Sequence, residues 1–310
     1  MTNHTTVIEF LLLGFSSDPE IHILHGILFL MAYLAALIGN GLIIFLITCD
    51  PRLHTSMYFF LKNLSFIDIC LISVIVPKFV LNSLMHKSSI FFLGCVLQVF
   101  FFMALDSAEV AILTVMSYDC YVAICRSLHY EVIVNRGACG QMVVASYVSG
   151  GVSGVMHTAA TFSVNFFCDI PQIILISDSK VNIGEIGITA FIFCVTLPCF
   201  VYIVYSYVHI FSIVRRTSSS EGRTKALSIC IPHLIVVFVL TASLDFPKPP
   251  PDSRSVLDFI LSIFYTVLPP TFNPLIYSLR NRYIKAALKQ LLGKEVLKSR
   301  ELNSLSIFNR

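Results

Sequence analysis

The sequence predicts an all-α membrane protein: a seven-transmembrane helix bundle with its N-terminus outside and a short amphipathic helix after the seventh span. Three observations carry that expectation. Of 310 residues, 56% are hydrophobic and 13% charged, with a mean hydropathy of +0.82, whereas about a quarter of a soluble domain is charged. Seven apolar stretches reach the roughly 20 residues that crossing a bilayer requires. The basic residues between them fall mostly on one side.

The N-terminal tail, residues 1–24, holds Glu9, Asp18 and Glu20, and the first basic residue of the chain is Arg52. Without a basic leader segment, the early apolar run is expected to be kept as a span. Asn3-His4-Thr5 is a glycosylation sequon in this exterior tail, so Asn3 is the expected acceptor; Asn63-Leu64-Ser65 also matches but falls inside a span. The spans are expected at about 25–48, 57–80, 94–118, 140–163, 186–213, 226–246 and 255–278, joined by short connections into one domain over 25–278.

An odd number of spans puts the two ends on opposite sides. Sixteen basic residues then lie on the cytoplasmic side, among them Arg52, Arg126, Arg136, Arg215, Arg216 and the eight from Arg280 onward. Five lie outside: Lys78, Lys87, Lys180, Lys248 and Arg254. Shifting the count by one helix scrambles this asymmetry. In the cytoplasmic segment 279–310, Ile284, Ala287, Leu288, Leu291 and Leu292 share a face, with Arg282, Lys285 and Lys289 among the others. That pattern predicts a helix lying on anionic membrane lipid. The net charge of +3 is spread along the chain, so nucleic acid is not an expected partner.

Polar residues inside spans are costly and are candidate functional groups. Asn40, Asp68, Glu109 and Asn273 fall near mid-membrane when the helices are aligned by their ends, so these four should meet. Two carboxylates close together in a low dielectric need a cation or a shared proton. Two readings of the pair stay open: a bound cation, or a protonated, hydrogen-bonded core without an ion. No nucleophile or metal-ligand set accompanies the pair, so an enzyme is not expected. Pro274 breaks the seventh helix's ladder and frees a carbonyl, predicting a kink beside Asn273. Of ten cysteines, most lie in spans as small packing residues; Cys95 and Cys168 are placed to meet in the oxidising exterior.

The run Met116-Ser117-Tyr118-Asp119-Cys120-Tyr121-Val122-Ala123-Ile124-Cys125, followed by Leu128-His129-Tyr130, closely resembles the cytoplasmic end of the third membrane helix of odorant receptors. These form a rhodopsin-like, G protein-coupled family. Gly39-Asn40, Leu64-Ser65-Phe66-Ile67-Asp68, Pro269-Pro270-Thr271-Phe272, Asn273-Pro274-Leu275-Ile276-Tyr277 and Ser278-Leu279-Arg280-Asn281 extend the resemblance over nearly the whole chain. It implies a receptor that binds a small volatile odorant within the bundle and acts through a stimulatory, olfactory-type G protein to raise cyclic AMP. It also implies a Cys95–Cys168 disulfide and a resting sodium ion held by Asp68 and Glu109. The switch residues it implies are Asp119, Cys120, Tyr121, Tyr207, His233, Pro274 and Tyr277.

The chain departs from the family at several points. Cys120 stands where the family has arginine, which pairs with Asp119 at rest and supports the G protein on activation. Cysteine has neither the fixed charge nor the fork of donors. Asp119 is then expected to lack its counter-charge and coupling to be lost or basal activity altered, unless Arg126 or a cytoplasmic lysine substitutes. The loop holding Cys168 looks shortened, and Asp178 stands where a further loop cysteine is expected.

By helix depth, the resemblance places the ligand among Met103, Asp106, Ser107, Phe191, Val195, Thr241, Leu244, Ile263 and Thr266. Apolar walls with a few hydrogen-bonding groups suit small volatile molecules. Asp106 lies one turn above Glu109 on the same face, either as a satisfied polar core residue or as an anchor for an amine. Leu240-Thr241 replaces a frequent aromatic pair of the family. A receptor-shaped binder with weak or absent coupling is the alternative function. A transporter ranks below it, because neither paired broken half-helices nor a row of intramembrane charges is visible.

Overall fold

A computed structural model describes residues 9–11, 19–85, 89–164 and 183–216, together with 230, 231, 234, 235, 237, 267, 269–274, 284 and 286. The chain order is β1 Glu9–Leu11, α1 Pro19–Cys49, α2 Ser56–Met85, β2 Ser89–Phe91, α3 Phe92–Cys125, a short α4 Tyr130–Ile133, α5 Arg136–Val164 and α6 Ile183–Arg216. The fold is an all-α bundle with one two-stranded ribbon.

The long helices extend past the apolar stretches that predict them. At 34 residues, α3 runs about 50 Å at 1.5 Å per residue, well beyond a hydrocarbon core of roughly 30 Å. Lipid contact selects the apolar residues, but backbone hydrogen bonding carries the helix on into the interface. Specific chemistry sets the boundaries that are visible. Pro51 cannot continue α1, and Asp50 caps the following 3-10 turn, Pro51–Leu53, by accepting from the Arg52 backbone N–H at 3.0 Å. Asn135 caps α5, its Oδ1 accepting from the Ala138 N–H at 2.9 Å.

Among the described residues, Gly26–Cys49, Ser56–Leu81, Phe92–Cys125 and Thr196–Arg216 are long and apolar enough to cross a membrane. They coincide with the first, second, third and fifth expected spans. α5 has the length, 29 residues, but its many glycines and serines dilute its hydropathy. Its outer face still reads as lipid-facing, with Val144, Val148, Val152 and Val155 exposed at helical spacing. The described residues of the sixth and seventh spans, from Cys230 to Val237 and from Val267 to Pro274, are helical.

α3 is the central post, packing against α2, α5 and α6. The approach to α5 is close because Gly150 and Gly154, spaced four apart, present no side chain. A Cβ on Gly154 would lie 2.8 Å from Ala104 Cβ and 2.9 Å from the Phe100 carbonyl oxygen, and one on Gly150 would overlap the Ala104 carbonyl. This small-xxx-small contact is a common means of joining helices in lipid. The lower core gathers Leu53, Phe60, Leu64, Ile112, Met116 and Ile210; an upper one joins Phe29, Ala36, Ile72, Val76 and Val267.

One local feature differs from the sequence expectation. The N-terminal tail carries a strand: Glu9, Phe10 and Leu11 pair antiparallel with Phe91, Ile90 and Ser89. This ties the tail to the connection between α2 and α3. Of the expected amphipathic helix, Ile284 and Ala286 are described; both are helical, Ile284 buried in the lower core and Ala286 exposed.

Candidate polar core, pocket and cytoplasmic switch

The four mid-membrane polar residues are all buried, at 0% exposure for Asn40, Asp68 and Glu109 and 2% for Asn273. Asn273 Nδ2 donates to Asp68 Oδ2 at 3.0 Å and Oδ1 at 3.3 Å, joining the seventh helix to α2. Asn40 makes a different contact from the one its depth implied. Its Nδ2 donates to the Pro270 carbonyl at 2.8 Å and to the Ala36 carbonyl at 3.1 Å. Pro270 lies four residues before Pro274, so its carbonyl is the one the proline ring leaves without a helical donor. Asn40 supplies that donor from α1. Gly39 allows the approach, since a Cβ there would lie 2.9 Å from Pro274 Cβ.

Glu109 projects from α3 toward Asp68, Asp106 and Asn273. Asn273 commits its amide to Asp68, and both Glu109 oxygens are buried without a hydrogen-bond partner. Asn40 Oδ1 and Asn273 Oδ1 are unpartnered as well. Carboxylate and amide oxygens that lack donors are hard donors of the kind sodium accepts, although no group of three or more His, Cys, Asp or Glu placed to hold a metal ion occurs among the described residues. None of Asp68, Asp106 and Glu109 forms an ion pair with a described residue; the ion pair found among the described residues, Arg52–Asp50 at 2.7 Å, lies in the exposed turn after α1.

Of the expected pocket residues, Met103 and Asp106 lie partly enclosed on α3. The Ser107 hydroxyl is 2.8 Å from that of Ser153, so it serves the α3–α5 contact. Phe191 and Val195 fall on α6 at positions whose side chains are not described. Thr241, Leu244, Ile263 and Thr266 lie outside the described residues, as do Asn3, Cys168, His233 and Tyr277. Cys95 is buried and disulfide-bonded.

At the cytoplasmic end Asp119 has no ion-pair partner among the described residues, but it does have a hydrogen-bond donor. Asp119, 3% exposed, has a partner: the Tyr130 hydroxyl donates to its Oδ1 at 2.8 Å. Burial, with Asp119 alongside, pushes the Tyr130 hydroxyl's pKa up, while Ser56 opposes that shift. Tyr130 therefore stays a donor at neutral pH. Arg126 is exposed and pairs with no described carboxylate. The Cys120 thiol, 4% exposed, packs between Tyr207 of α6 and Cys230 of the sixth span. Tyr207 faces this core at 3% exposure, and Tyr121 lies against Tyr205 and His209 with ring centroids 6.5 and 6.2 Å apart.

Sequence reasoning missed Tyr130, although Leu128-His129-Tyr130 belonged to the recognised run. It also missed Gly150 and Gly154, whose four-residue spacing was the available signal.

A family model described as olfactory receptor matches residues 29–295, a span that includes the polar core and the Asp119–Tyr130 contact. The chain belongs to the olfactory receptor family. This receptor is 52% identical over 308 residues to olfactory receptor 14A16 of Homo sapiens, covering 96% of this chain and 100% of that relative. It is 54% identical over 302 residues to olfactory receptor 14L1 of Homo sapiens, covering 94% and 93%. Its fold is similar to that of squid rhodopsin, with a TM-score of 0.69 at 16% identity over 91% of this chain and 88% of that one. The fold is therefore rhodopsin-like. The chain is a multi-pass plasma-membrane receptor of a non-catalytic, signal-transducing family.

Proposed function

We propose that this receptor binds small, mostly apolar volatile molecules inside a seven-helix bundle and acts through a stimulatory, olfactory-type G protein to raise cyclic AMP, with coupling weakened at Cys120. The amino end, with a glycan on Asn3, faces outside, and a Cys95–Cys168 disulfide braces the loop over the pocket. The single observation that carries the reading is the buried contact of Asn273 with Asp68, a polar hinge between α2 and the seventh helix just before Pro274. Asp68 and Glu109 would hold a sodium ion, with Asn40 and Asn273 as further oxygen donors. Bound there, sodium would supply one positive charge between the two carboxylates and ease their mutual repulsion.

The chain's own groups set the mechanism. Asn40 steadies the kinked turn through the Pro270 carbonyl, so movement about Pro274 pivots below a fixed point. A ligand that prefers the arrangement with the sixth helix moved outward shifts the population toward it by its differential affinity. In the resting arrangement Cys120 seals the apolar contact with Tyr207 and Cys230 but offers no charge to an inserting G protein. That burial favours the second reading, a receptor-shaped binder with weak coupling.

Odorant-panel screening in cells expressing the olfactory G protein, scored by cyclic AMP beside surface labelling, tests the proposal. Ligand-evoked cyclic AMP from surface-expressed receptor supports it. Ligand binding without cyclic AMP at equal surface density selects the second reading. Ligand responses that do not change across a wide range of sodium concentration remove the ion from the account.

A further inference from the structure

The faces of α3 can be sorted by what they touch. Ala104 and Ala108 meet the glycines of α5, and Ser107 meets Ser153. Leu93, Leu97 and Phe101 are exposed on the outer half of the helix. At about 100° per residue, Asp106 lies roughly 140–200° round from the two alanines and from these lipid-facing residues. It shares its face with Val99, Glu109 and Leu113, which are 1%, 0% and 1% exposed. This is the face turned toward the bundle axis, where Glu109 meets Asp68 and Asn273.

Asp106 is more accessible than those three neighbours. Asp106 keeps partial accessibility where Val99 above and Glu109 below are buried. Its carboxylate makes no hydrogen bond or ion pair with a described residue. The charged group beside it, Glu109, has the same sign. Three interior carboxylates thus share a region without a basic partner among the described residues, and one sodium ion at Asp68 and Glu109 would offset a single charge. An unpaired carboxylate in apolar surroundings is unfavourable until it takes up a proton or a cation joins it, and an ammonium group supplies that cation.

We propose that Asp106 is the anchor for a protonated amine, and that this receptor selects small aliphatic amines whose hydrocarbon part fills the apolar cavity. The proposal deepens the reading of the bundle interior as the ligand site and rests on it. The ammonium group donates to the Asp106 carboxylate, while Met103 on the same side of α3 lines the hydrocarbon. An alcohol with the same carbon skeleton has the hydrocarbon but not the charge, so it leaves Asp106 uncompensated. Selectivity for amine over alcohol is therefore the signature of this site.

The test uses purified full-length receptor at fixed sodium and neutral pH. Short- and medium-chain primary amines are each paired with the alcohol of the same skeleton, and thermal stabilisation is measured against ligand concentration. At least one amine is expected to stabilise the wild-type receptor saturably, with its alcohol twin inert at the same concentrations. Asp106→Asn weakens that amine's apparent Kd by at least about thirtyfold, and Asp106→Glu keeps the preference for amine. Equal stabilisation by amine and alcohol, no stabilisation by any amine, or an amine response unchanged in Asp106→Asn overturns the proposal. The wild-type comparison decides the matter even if a variant fails to fold. Cyclic AMP recorded in parallel separates the two readings: alcohol-evoked signalling without amine preference removes the amine and leaves the receptor, whereas amine binding without signalling removes the coupling and leaves Asp106.

Discussion

Replacing Tyr130 with phenylalanine removes one hydroxyl and little volume, and its consequence follows from one contact. That hydroxyl donates to Asp119 Oδ1 at 2.8 Å, and Asp119 is 3% exposed. With cysteine next to it at position 120, the carboxylate has no arginine to turn to. A hydrogen bond to a charged group contributes about 1.5–3 kcal/mol net, and a buried acceptor left without its donor incurs a desolvation cost of similar size. Tyr130→Phe should therefore destabilise the receptor by about 2 kcal/mol, roughly thirtyfold in the unfolding equilibrium. Unfolding titrated with dodecyl sulfate in mixed micelles reads this out. In an Asp119→Leu background, where the carboxylate acceptor is gone and only the Ser56 contact is left to lose, the same change should cost clearly less, by about 1 kcal/mol or more. Equal losses in the two backgrounds, or no loss in the wild type, would refute the assignment of Tyr130 as the partner of Asp119.

Four further substitutions probe other contacts. Gly154→Val drives a side chain against Ala104 and the Phe100 carbonyl and should cost about 1–3 kcal/mol; Gly151→Ala, where nothing lies within 4 Å, should be neutral or stabilising by about 0.5–1 kcal/mol in the same titration. Asn40→Leu leaves the Pro270 carbonyl without its donor and should destabilise by about 1–3 kcal/mol, with faster hydrogen exchange in the seventh helix near Pro274. Asp50 is held at a pKa of about 2, first by its hydrogen bonds with Arg52. Because the folded value is depressed, the stabilisation is complete above the unfolded value of about 3.9 and is lost as pH falls through about 2. Carboxylate NMR of Arg52→Gln in nanodiscs should show Asp50 titrating near the ordinary value of about 3.9.

Much of the bundle is legible in the sequence because lipid imposes a simple rule: apolar stretches of sufficient length become helices, and a polar residue within one needs a reason. Asn40, Asp68, Glu109 and Asn273 stand out by that rule, and all four are buried. Their pairing is less legible. Depth alone groups Asn40 with Asp68, whereas the actual partner is the carbonyl freed by Pro274, recognisable only once α1 and the seventh helix are side by side. Tyr130 was hidden for a similar reason, since it lies eleven residues after Asp119 beyond a turn. The β1–β2 ribbon has three residues per strand, too few for an alternating pattern to register. Helix ends were misjudged where hydropathy changes but hydrogen bonding continues, as in the last turns of α3 beyond Tyr118.

The most direct test compares wild-type receptor with Cys120→Arg at matched surface density, reading ligand-evoked cyclic AMP with the olfactory G protein present. The account predicts a weak wild-type signal and a clear gain in the variant, because the arginine restores the charge that the buried thiol lacks. A signal that the arginine leaves unchanged would contradict the claim that Cys120 limits coupling.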